Sequence, residues 1–180
     1  MNSFRNDGAP AHEILPGLWL GNKASSECED WMREKNITAV FNATKTLPFA
    51  PSVLHQYRLP VDDNLKKVEI DNMERWAPQV LIDLIHERSA GKCVLVHCYA
   101  GMQRSAALVA MYLIATQDMS ADQAIAFVRE KRPVAFFPSV NFEPAIRGFE
   151  RSFRAAMAQA IRQRAASTPA TAATARPKAI

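Results

Sequence analysis

Short apolar runs alternate along the chain with longer stretches whose apolar residues recur at helical spacing, and this interleaving predicts an α/β fold. Residues 13–15 and 18–20 are two extended pieces joined by the turn pair Pro16-Gly17, which reads as a hairpin. Residues 24–35 fit a helix, with Ser25 or Ser26 as N-cap and Glu27, Glu29 and Asp30 near the positive end of its dipole. Residues 37–42 are a β-rich run. Residues 53–61 alternate, with Val53, Tyr57, Leu59 and Val61 on one face, and predict a strand that stops near Pro60 and opens into the polar loop Asp62-Asp63-Asn64. Over residues 70–88 the apolar positions Ile70, Met73, Trp76, Val80, Leu81, Leu84 and Ile85 define a helix that Pro78 kinks or starts. The continuous run CVLVH, residues 93–97, suits a strand covered on both faces, and an apolar helix over 105–116 follows it. Ser120 with Gln123 forms a capping box for a helix to Arg132, ended by Pro133. From about Ser139 a last helix carries the stripe Phe142, Ile146, Phe149, Phe153, Met157 and Ile161, with Arg147, Arg151, Arg154 and Arg162 opposite. The expected architecture is a single domain with a central, mostly parallel, twisted sheet of about five strands flanked by helices.

Composition narrows the class. With 180 residues, 48% hydrophobic and 22% charged, the chain is not collagenous, wholly disordered or a disulfide scaffold. Its apolar stretches fall short of the ~20 residues that cross a bilayer, and its start lacks a basic segment followed by an apolar core. It is expected to be intracellular, in cytoplasm or nucleus, and not secreted. Cys28, Cys93 and Cys98 cannot all pair, and none forms a CxxC motif. The net charge of +4 is uneven: residues 151–180 hold six basic and no acidic residues, leaving 16 basic and 18 acidic in 1–150. Such a segment could meet nucleic acid, an acidic lipid surface or an acidic partner, although a solvated helix face with an unstructured end is the preferred reading. Residues 1–12 are expected to be flexible, 13–165 to form the domain, and 166–180 to be a disordered basic tail.

The chemistry lies in the strand, loop and helix of VLVHCYAGMQRSAALVAMYL, residues 94–113. Ligands of open α/β sheets bind at the carboxyl ends of strands, and a helix N-terminus there favours an anion. Tyr99, Ala100, Gly101, Met102 and Gln103 can turn successive amides around a phosphate, with Gly101 allowing positive φ or close backbone approach. Arg104 adds a planar fork for two phosphate oxygens. The same groups would stabilise a thiolate at Cys98, making it a nucleophile aimed at phosphorus.

The segment HCYAGMQRS resembles the HCxxGxxR[ST] signature of cysteine-based protein phosphatases, and its AGxxRS form is similar to the dual-specificity branch. Weaker likenesses follow in the family's order: ILPGLWLGN, NITAVFNAT, YRLPVDDN, MYLI, VREKRP and FPSVNFEPAIRGFE. Together they cover about residues 12–153 and imply a cysteine-phosphatase-like fold. The resemblance assigns Cys98 as nucleophile, Arg104 with the loop amides as holder of the phosphate oxygens, Asp63 as general acid and then base, Ser105 as stabiliser of the departing thiolate, and His97 as a residue that orients the loop by hydrogen bonds. Asp62 is a rival to Asp63, which is preferred because the family's acid falls two residues after the position of Val61. Arg132 matches a basic position that in some relatives faces a second phosphate on the substrate, although a charged helix end explains it equally well. Relatives often carry Asn where this chain has Ser139, which puts support from that side chain in doubt.

The implied activity is hydrolysis of phosphotyrosine and phosphoserine or phosphothreonine in proteins, without metal or cofactor. His12, His55 and His86 show no ligand spacing. The alternatives are a phosphatase for RNA 5′-phosphates, phosphoinositides or another non-protein phosphate, and a phosphate-reading module with little turnover. The uncharged loop residues argue against polyanionic substrates, so nucleic acid is not the favoured partner. A monomer or a homodimer is compatible with the pattern. Cys28 and Cys93 are read as structural, and strand alternation turns Cys93 away from Cys98.

Overall fold

The computed structural model describes residues 8–167. Along the chain run β1 (Ala11–Leu15), β2 (Leu18–Gly21), α1 (Lys23–Glu27), α2 (Glu29–Glu34), β3 (Ile37–Asn42), β4 (His55–Arg58), α3 (Lys67–Ser89), β5 (Cys93–His97), α4 (Arg104–Gln117), α5 (Ala121–Lys131) and α6 (Glu143–Ser167). The five strands form one sheet in the order β1-β2-β5-β3-β4, antiparallel between β1 and β2 and parallel elsewhere. This is the expected mostly parallel sheet.

Strand alternation sorts the core. Val94 and Val96 of β5 face a large cluster that gathers α3, α4, α5 and α6, while Leu95 faces a smaller one with Met32, Val40 and Val53. The central strand is therefore apolar from Cys93 to Val96, with only the buried His97 at its end polar, because both faces are covered. Helix α4 is buried continuously from Ser105 to Ile114. Its alanines at 106, 107 and 110 let neighbours approach, and each fully buried leucine, such as Leu108, contributes about 1.5–3 kcal/mol. A rigid core thus carries the helix that follows the signature loop.

The boundaries differ from expectation in instructive ways. The helix over 24–35 is two short helices meeting at Cys28, and its N-cap is Asn22, whose Oδ1 accepts the Ser25 amide at 3.1 Å. Ser25 and Ser26 lie one turn inside, where their hydroxyls donate back to the carbonyls of Asn22 and Lys23 at 2.6 and 2.8 Å. Strand β4 is only four residues long, because after Arg58 the chain curls so that the Val61 amide donates to Leu59 O at 2.9 Å. Helix α3 starts at Lys67 and contains Pro78 well inside it. Helix α6 starts at Glu143 rather than 139 and continues through Ser167, so residues 166 and 167 are helical. Strand β1 takes in Ala11 and His12 from the segment expected to be flexible. The rest of that expectation, residues 1–7, and residues 168–180 of the expected tail lie outside the described residues. The capping box at Ser120 and Gln123 is present in both directions.

Candidate active site

Strand β5 lies between β2 and β3 and delivers Cys98 from its carboxyl end. The side chain is 2% exposed. Its Sγ accepts hydrogen bonds from the Gly101 amide and the Ser105 hydroxyl, both at 3.2 Å. Burial pushes the thiol pKa up, but the Arg104 charge, the Ser105 hydroxyl and amide, and the Gly101 amide outweigh it and hold the thiol below its ordinary value. Gly101 has φ +66°, and a Cβ there would strike the Gly21 carbonyl. The loop therefore rests directly on the end of β2, and the Lys23 amide ties Tyr99 O at 3.0 Å. No side chain caps the start of α4, so its first amides face the loop without a local competitor.

Arg104 reaches across the loop to Val61 O at 3.3 Å, and its Nε is buried without a hydrogen bond. His97 is fully buried and its pKa is pushed down to about 4, chiefly by burial and further by the charges of Arg58 and Arg104. It is neutral, and neither ring nitrogen makes a hydrogen bond of normal geometry. The Cys98 backbone lies against the ring and partly opposes the downward shift, which places His97 in contact with the first residue of the loop.

The loop after β4 separates its two aspartates. Asp62 pairs with Lys45 (2.9 Å), and its amide donates to Glu69 Oε2 at 2.8 Å. Glu69 is itself buried and pairs with Lys45 at 2.5 Å. Burial raises the Glu69 pKa, but Lys45, the Asp62 amide and Asn72 more than offset it and keep the carboxyl below its ordinary range. Asp62 is thus a tied residue. Asp63 is exposed, and its Oδ1 accepts a hydrogen bond from Asn141 Nδ2 at 2.8 Å.

The model of the family described as dual specificity phosphatase, catalytic domain, matches residues 18–152. The chain belongs to that family. Human dual specificity protein phosphatase 16 is 33% identical over 144 residues, covering 78% of this chain and 21% of that protein. Human dual specificity protein phosphatase 1 is 32% identical over 146 residues, covering 81% and 38%. The chain thus spans about a fifth and two fifths of the length of these curated relatives. Among solved structures, human DUSP28 superposes with a TM-score of 0.72 at 26% identity, covering 81% of this chain and 96% of that one. The human tyrosine phosphatase-like serine/threonine/tyrosine-interacting protein gives a TM-score of 0.70 at 28% identity, covering 80% and 97%.

Within this dual specificity phosphatase domain, several residues sit where the motif alone did not indicate. Arg132, implied as facing a second phosphate on the substrate, is 1% exposed. Its Nε donates to Gly101 O at 2.8 Å, Nη2 to Ala100 O at 3.5 Å and Nη1 to Ala9 O at 3.3 Å, with His12 Nδ1 at 2.8 Å. A guanidinium committed to loop carbonyls from beneath is a support of the loop and is not presented to a substrate. The Gln103 side chain likewise turns inward, donating to Ser139 O at 2.7 Å and Phe137 O at 3.2 Å and accepting the Asn141 amide at 3.0 Å. Met102 O accepts the Phe136 amide at 2.8 Å. Tyr99 and Ala100 are exposed at the mouth, Tyr99 by 63%. Ser139 Oγ bonds Asn141 Oδ1 at 3.2 Å, so its support goes to Asn141 and not to the loop. Sequence reasoning gave no role to Asn141, although it lies within FPSVNFEPAIRGFE, nor to Lys45 and Glu69, which fall outside the quoted segments. Cys28 is exposed, Cys93 half-buried, and all three cysteines are free. Among the described residues, no three metal-ligating side chains gather where an ion could sit, and no helix is long and apolar enough to cross a membrane.

Proposed function

We propose that this chain is an active cysteine-based protein phosphatase that hydrolyses phosphotyrosine and phosphoserine or phosphothreonine in protein substrates. The observation that carries the reading is the surroundings of Cys98: a buried sulfur with two hydrogen-bond donors at 3.2 Å and an arginine beside it, held below the ordinary thiol pKa. In the first step the Cys98 thiolate attacks phosphorus, the phosphorus–oxygen bond to the substrate breaks, and Asp63 gives its proton to the leaving oxygen. The loop amides and Arg104 hold the three remaining oxygens, whose charge is greatest in the transition state. In the second step the Asp63 carboxylate takes a proton from water, the resulting oxygen attacks the cysteinyl phosphate, and inorganic phosphate departs. Ser105 Oγ then hydrogen-bonds the returning thiolate. A serine or threonine alkoxide is a far poorer leaving group than a phenolate, so the acid matters most on phosphoserine and phosphothreonine.

The uncharged side chains of Tyr99, Ala100, Met102 and Gln103 support protein substrates over polyanionic lipid or RNA phosphates. The presence of nucleophile, arginine and acid together supports turnover over passive phosphate reading. The test is hydrolysis of phenyl phosphate and of phosphotyrosine and phosphothreonine peptides by the wild type, Cys98→Ser and Asp63→Ala. The reading requires wild-type turnover, its loss in Cys98→Ser, and a loss in Asp63→Ala of about 10²–10⁴-fold that is larger for alkyl than for aryl esters. Phosphate binding without turnover in the wild type would overturn it.

A further inference from the structure

Asp63 projects from an exposed loop, and its neighbours along the chain do not fix its side chain. Asp62 before it is occupied by Lys45 and Glu69, and Asn64 after it turns to accept the Lys66 amide at 3.0 Å. What holds the Asp63 carboxylate comes from a segment 78 residues away: Asn141 Nδ2 donates to its Oδ1 at 2.8 Å. The orientation of the Asn141 amide follows from its partners. The Ser139 hydroxyl can donate to Oδ1, whereas an ionised carboxylate only accepts, so the nitrogen must face Asp63.

Asn141 is in turn fixed to the phosphate loop. Gln103, 4% exposed, accepts the Asn141 amide through Oε1 and donates through Nε2 to the carbonyls of Ser139 and Phe137. Both hydrogens of the Gln103 amide nitrogen and its oxygen are thereby engaged. Gln103 immediately precedes Arg104, so the hydrogen bonds run from the loop that follows Cys98, through Asn141, to the Asp63 carboxylate.

We propose that Asn141 is a positioning residue for Asp63: by gripping Oδ1 it leaves Oδ2 to carry the proton, and through Gln103 it registers that oxygen to the loop that holds the phosphate. The inference rests on the reading of Asp63 as general acid. It makes hydrolysis of phosphoserine and phosphothreonine depend on Asn141, and hydrolysis of good leaving groups nearly independent of it. A displaced acid loses part of its effect, so the loss should be a fraction of the full 10²–10⁴-fold worth of general acid catalysis, about tenfold.

The experiment compares kcat/KM, which reports the first step, for the full chain and its variants on a phosphothreonine peptide, phenyl phosphate and 4-nitrophenyl phosphate. Asn141→Ala removes the side chain. Asn141→Asp keeps its shape and the backbone amide that Gln103 holds, but replaces the donor with a second acceptor. Both are expected to lose about tenfold on phosphothreonine and less than about twofold on 4-nitrophenyl phosphate, whose preserved rate also reports a folded site. In an Asp63→Ala background, Asn141→Ala should change nothing further on phenyl phosphate, because it acts through Asp63. Full phosphothreonine activity in Asn141→Asp would overturn the inference, as would equal losses on all three substrates or a further loss in the Asp63→Ala background. If Asp63→Ala itself shows no dependence on the leaving group, the acid assignment falls and this inference with it. An inactive wild type would instead overturn the phosphatase reading.

Discussion

Two buried ionisable groups with opposite fates flank the parallel strands, Glu87 of helix α3 against His55 and Lys92 near their amino ends and Cys98 just after the carboxyl end of β5, each 2% exposed. Glu87 is gripped on both oxygens. Tyr57 donates at 2.5 Å and His55 Nδ1 lies at 3.1 Å from Oε1, while Lys92 pairs with Oε2 at 2.6 Å. Burial pushes the Glu87 pKa up, but Lys92, Tyr57 and His55 hold it below the ordinary carboxyl range. The hydrogen bond to Glu87 pushes Tyr57 up to about 12, and the Tyr57 ring stacks on Phe41 at 4.4 Å. At Cys98 the balance has the same sign, with burial opposed by charge and hydrogen bonds, yet the stabilising groups are of another kind. They are backbone amides, a hydroxyl and an arginine whose Nε makes no hydrogen bond. One site uses its ion pairs to close a structure. The other places donors around the Cys98 sulfur, and in the proposed function the same donors serve the substrate phosphate.

The largest expected effect breaks the catalytic side of this comparison. Arg104→Lys keeps a charge near Cys98 but removes the planar fork, and kcat/KM on aryl phosphate should fall by about 10²–10³-fold with little change in melting temperature. A loss below about tenfold would show that the fork is not used. Glu87→Gln breaks the other side. It should destabilise the domain by about 1–3 kcal/mol in urea titrations at neutral pH while leaving kcat/KM of the folded enzyme unchanged. The sign with pH follows from the lowered carboxyl: its stabilisation is present above the unfolded-state value of about 4.3 and is lost as pH falls through the lower folded-state value, so Glu87→Gln should show a flatter acid limb of stability than the wild type. The smallest effect is Ser105→Ala, which removes one of several thiolate donors. The pH at which Cys98 becomes reactive should rise, and turnover limited by the second step should slow by less than about tenfold.

What the sequence made legible was local. The β5 run, the loop after it and the α4 helix lie within one continuous stretch, and the Ser120–Gln123 box spans a single helical turn. What escaped it was side-chain contact at long range. Lys45 and Glu69 are 24 residues apart, Gln103 and Asn141 are 38 apart, and Asp63 and Asn141 are 78 apart. Periodicity marks which face of an element is apolar, but it does not mark which polar side chains meet across loops. Gln103 shows the limit plainly: its place in the loop was evident, while its side chain turns to hold the 137–141 segment. The Asn22 cap was overlooked for a simpler reason, since two serines offered equally good N-cap chemistry one turn later.

The account stands on the claim that the surroundings of Cys98 make a buried thiol into a thiolate. The direct measurement is the rate of Cys98 alkylation by iodoacetamide across pH 4 to 10, followed by peptide mass spectrometry and compared with a model thiol of pKa about 8.5. The account predicts half-maximal reactivity well below that value, moving upward in Ser105→Ala. A midpoint at or above the model thiol would mean that burial prevails over Arg104 and the loop amides, and would contradict the account at its centre.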